Sequence, residues 1–80
     1  MLDKCLVKSI IDMTLFLEFT DGALLDEDVA IARLEGLASE LYCMDAETKK
    51  DFCLQIRELA KDYPEKSDFV MNLPKTLGLD

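Results

Sequence analysis

Carboxylates are the abundant reactive groups of this chain: 80 residues hold 17 Asp and Glu against 9 Lys and Arg, with three cysteines and no histidine. The missing imidazole removes most familiar chemistry. A serine–histidine or cysteine–histidine nucleophile pair cannot be built within one chain. Ser9, Ser39 and Ser67 also lie in no nucleophile-elbow sequence. A di-metal helical bundle needs Glu-x-x-His motifs. Zinc is left with cysteine and carboxylate at spacings that match no known site type. A calcium loop needs oxygen ligands at alternate positions and glycine at the sixth; counting from Asp21 or from Asp26 gives no such pattern. Two carboxylates hydrolyse a bond only inside a cleft that shifts their pKa values, and a helical bundle of this size rarely encloses one. No catalytic residue, metal or cofactor is assigned, and the chain reads as a non-enzyme.

Cys5, Cys43 and Cys53 form no CxxC pair. On consecutive helices Cys43 and Cys53 would lie about 12 Å apart along the axis at 1.5 Å per residue, too far to bridge. An odd, scattered set reads as free thiols in a reducing cytoplasm.

What the acids can do is meet a partner. Asp21, Asp26, Glu27, Asp28, Glu35, Glu40, Asp45 and Glu47 are relieved only by Arg33. The net charge of −8 and pI near 4.3 oppose binding to nucleic acid, which needs Lys and Arg on phosphates, and oppose docking to anionic membranes. They suit a basic protein partner, whose approach an acidic face would steer. Glu27, Asp28, Glu35 and Glu40 are the candidate partner-binding acids. The bland alternative is a solvated face plus helix-cap acids. In general character (small, acidic, helical, histidine-free) the chain is similar to many inhibitor and immunity proteins that shield toxic enzymes, a likeness that covers no motif. It implies occlusion of a basic target.

The elements that must position these acids are helical. From Asp26 to Asp62 the sequence reads as two amphipathic helices in an antiparallel hairpin. Asp26 caps the first arm, and Glu27 and Asp28 sit in its first turn, where the helix dipole favours negative charge. Its apolar stripe is Ala30, Ile31, Leu34, Leu37, Ala38, Leu41 and Tyr42. Gly36 costs about 1 kcal/mol against alanine inside a helix and marks a packing contact with a neighbouring helix. Asp45 caps the second arm, whose stripe is Phe52, Ile56, Leu59, Ala60 and Tyr63; Pro64 ends it. The expectation is an all-α, three- to four-helix bundle in one domain. Its helices fall at about 2–19, 27–43, 46–62 and 66–73, with a terminal turn begun by Pro74 and stopped by Gly78.

The first helix is apolar on most sides. Leu2, Leu6, Ile10, Met13 and Leu17 form one stripe, widened by Val7, Ile11, Phe16 and Phe19. Residues 14–20 also alternate like a strand ahead of Asp21-Gly22, a turn signal; with no second strand to pair with, helix is preferred, closed by Gly22 in a left-handed conformation. The apolar excess at Leu15, Phe16 and Phe19 predicts a second function class, a homodimeric assembly subunit with its interface on this helix. A third is a small apolar-ligand binder with a pocket lined by Phe16, Phe52 and Met71. Asp12 and Glu18 interrupt any membrane span, and Asp3, Lys4 and Asp12 do not read as the basic start and apolar stretch of an export signal. The expected location is the cytoplasm.

Overall fold

A computed structural model describes residues 2–80 and contains four α-helices: α1 Lys4–Phe19, α2 Glu27–Tyr42, α3 Ala46–Leu59 and α4 Ser67–Thr76, with a 3-10 turn at Ala60–Asp62 after α3. The fold is a small all-α bundle, and residues 14–19 are helical. Asp3, Asp26 and Asp45 each turn a carboxylate onto the free backbone N–H groups that open α1, α2 and α3. Helix α1 ends differently from expectation. Gly22 does not adopt a positive φ; Thr20 closes the helix, returning both its N–H and its hydroxyl to the Phe16 carbonyl.

The packing centre is not the α2–α3 hairpin. The principal pairs are α3 with α4, α1 with α3 and α1 with α2, while α2 and α3 barely meet. Contacts along the chain give the directions. Leu2 bonds Asp51 and Gln55, Asp12 bonds Tyr63, and Phe19 stacks edge-on against Phe69. Helix α1 therefore runs alongside α3 in the same sense. Helix α4 returns along α3, bringing Leu79 and Asp80 back to Cys53 and Arg57.

The core is Val7, Ile11, Phe52, Ile56, Leu59, Ala60, Val70, Leu73 and Leu77, with Leu41 its contribution from α2. The α3 stripe is buried as its spacing predicts. The α1 face is shifted. Val7, Ile11 and Thr14 are buried, and Leu6 and Met13 are exposed. The Thr14 hydroxyl donates to the Ile10 carbonyl at 2.8 Å, so a polar residue can occupy the inner face at little cost.

Helix α4 passes through Pro74 instead of restarting there. A proline in a helix interior loses one hydrogen bond and crowds a preceding carbonyl. Here Leu73, Pro74 and Leu77 are all buried, and that packing holds the helix across the ring. Gly78 then takes φ 73°. The Leu79 N–H reaches the Pro74 carbonyl and the Gly78 N–H the Lys75 carbonyl, a Schellman closure.

Candidate functional site

Helix α2 is the most exposed of the four, with only Ala30 and Leu41 buried among its sixteen residues. At 3.6 residues per turn its side chains sort into three sectors. Ala30, Leu34, Leu37 and Leu41 face inward. Asp28, Ile31, Glu35 and Tyr42 share one outer flank, and Val29, Arg33, Gly36 and Glu40 share the other. All eight flank residues are exposed.

This sorting divides the candidate acids. Asp28 and Glu35, two turns apart, stand on one flank, and Glu40 stands on the other, two turns after Arg33. Glu27 lies at the helix entry, and its carboxylate and Cγ come within van der Waals range of where a Cβ on Gly22 would be. The four acids are thus all exposed but do not form a single face. The first flank carries two residues that the apolar stripe had placed in the core. Ile31 is 53 % exposed and Tyr42 61 %. The Lys49 ammonium sits 3.8 Å from the centre of the Tyr42 ring, which holds the ring at the surface. The i, i+3, i+7 relation of Ile31 and Glu35 to Asp28 was the available signal for their shared flank.

Among the described residues the one ion pair is Arg57 with Asp80, at 2.6 Å. Asp28 and Glu35 therefore have no cation paired with them among the described residues. Beside Glu35 runs a shallow cleft of about 130 Å³ towards Phe69 and Leu77.

The α1 candidates are also separated. Leu15 packs against the core. Phe19 is held between the Phe69 ring, 5.1 Å away, and the Lys66 ammonium, 4.0 Å from its centre. Phe16 is 53 % exposed, about as much as Leu6 and Met13 on the same helix. The pocket expected from Phe16, Phe52 and Met71 is not formed: Phe52 is inside the core, and Phe16 and Met71 are at the surface.

All three cysteines are free; Cys5 and Cys43 are exposed and Cys53 is buried. Burial pushes the Cys53 thiol above its ordinary pKa, with Arg57 opposing, so this sulfur is a weak nucleophile. The shifted carboxylates have structural partners. Asp51 is lowered chiefly by the Leu2 N–H, and Asp45 chiefly by the Thr48 N–H. Among the described residues no cluster of three Cys, Asp or Glu groups converges as a metal site. No helix in the same residues is long and apolar enough to cross a membrane.

Compared with known proteins, the chain matches no family model, no curated protein and no solved structure.

Proposed function

We propose that the chain is a non-catalytic protein-binding module that docks a basic partner on the Asp28–Ile31–Glu35–Tyr42 flank of α2. The observation that carries this reading is the composition of that flank: two acids without an ion pair among the described residues, beside two exposed apolar side chains. Ile31 and Tyr42 supply area that a partner can dehydrate, and tyrosine is enriched where interfaces are tight. Asp28 and Glu35 add the field that speeds encounter with a cationic surface. Binding there blocks a basic target by covering it, as an inhibitor or immunity-type protein does.

The test compares the tagged wild type with the Asp28→Lys/Glu35→Lys double variant in capture from native lysate at low and high salt. A basic protein should be retained by the wild type, weakened by salt and absent from the variant. Equal retention by both proteins, or retention of no other protein, sinks the proposal.

A further inference from the structure

The opposite flank of α2 poses a separate question. Gly36 lies in mid-helix, where glycine weakens the helix relative to alanine. A Cβ added at Gly36 would meet nothing within 4 Å. No neighbour among the described residues therefore needs the missing side chain, and the packing contact expected at Gly36 is not formed there. The residues around it follow a heptad-like spacing: Val29, Arg33, Gly36, Glu40 and Cys43, all exposed. Arg33 and Glu40 are opposite charges on this one strip, and neither is in an ion pair among the described residues.

We propose that this strip is the self-association seam of the protein, with α2 of a second copy laid antiparallel across it about a twofold axis beside Gly36 and Leu37. The charges choose both the occupant and the direction. The point midway between Arg33 and Glu40 in sequence falls between Gly36 and Leu37. A twofold there sets Arg33 against Glu40 of the second copy and Glu40 against its Arg33, two reciprocal pairs from one contact. A parallel pairing in register would set arginine against arginine and glutamate against glutamate. Glycine beside the axis lets the two backbones approach closely. Asp28 and Glu35 project from the other flank, so the seam neither uses nor covers the proposed partner surface.

Sedimentation equilibrium across a concentration series tests this, with circular dichroism confirming that each variant is folded. The wild type should show a concentration-dependent dimer. Arg33→Glu and Glu40→Arg should each weaken it by more than about tenfold, since like charges then face each other. The Arg33→Glu/Glu40→Arg double variant should restore it, because the exchange rebuilds both pairs. Gly36→Leu should abolish the dimer while leaving the monomer helical, since the position is open in the monomer. Phe16→Asp should leave the dimer unchanged. A wild type that stays monomeric at every concentration overturns the proposal. So does a dimer indifferent to the single reversals, or one that the double exchange fails to restore.

Discussion

Gln55 is a polar side chain that the core keeps, at 5 % exposure. Its amide donates to the Leu2 carbonyl at 2.8 Å and to the Asp51 carboxylate at 3.1 Å, while Asp51 accepts the Leu2 N–H at 2.8 Å. Together they clamp the backbone ahead of α1 onto α3. Gln55→Leu should cost about 1–3 kcal/mol in urea unfolding, the range for an unmet buried hydrogen-bonding group. Hydrogen exchange at the amides that open α1 should quicken in the same variant. Asp51 adds a pH signature. Its folded pKa is lowered below 3.8, so the unfolded chain takes up a proton first as pH falls. The stabilisation is present above the ordinary carboxylate pKa and is lost as pH drops below it through the folded value. Asp51→Asn should therefore flatten the decline in unfolding midpoint below about pH 4; an unchanged decline would show that other acids carry it. At the alkaline end, burial and the Asp12 bond push the Tyr63 phenol above its ordinary value of 10. The linked stability is complete below pH 10 and is lost as pH rises through the folded value, a loss that Tyr63→Phe should remove.

Helices differ in how much of each is committed to the core, and substitutions should report that difference. Phe52 and Ile56 on α3 are at most 1 % exposed; Phe52→Ala should cost about 3–5 kcal/mol and Ile56→Ala about 2–5 kcal/mol in chemical denaturation. Phe16→Asp on the outer side of α1 should stay within about 0.5 kcal/mol of the wild type, because a half-exposed ring loses little. Gly78→Ala should cost about 1 kcal/mol, since a side chain must then occupy φ 73°. Gly36→Ala should do the reverse and raise the thermal midpoint of the monomer, with no neighbour to displace. A destabilised Gly36→Ala monomer would mean that α2 is held by contacts beyond those seen.

At the scale of the molecule, the body measures 38 × 28 × 19 Å. Its charge is −8 with a single ion pair among the described residues. Self-repulsion of that size is screened beyond about 8–10 Å at physiological salt. Lowering the ionic strength should therefore reduce the unfolding midpoint measurably; no change between low and physiological salt would contradict that electrostatic picture. The proposed partner surface and the proposed seam would occupy the two outer flanks of α2, while α1, α3 and α4 supply most of the core.

The helical class was legible in the residues themselves. Asp26 and Asp45 announce their caps, Pro64 ends the α3 region, and Phe52, Ile56, Leu59 and Ala60 place one buried stripe, because each signal acts within a few residues of chain. Which elements pack together was not legible. The short link between α2 and α3 suggested a central hairpin, yet α1 takes the place beside α3. Helix α1 is apolar on most sides, so periodicity could not decide between the Leu6–Met13 stripe and the Val7–Ile11–Thr14 face; only its packing against α2 and α3 decides it. The same holds for the candidate site. The acids of α2 were visible as residues. Their separation onto two flanks, and the exposure of Ile31 and Tyr42 beside Asp28 and Glu35, depend on which side of α2 the fold buries, and that choice belongs to tertiary structure.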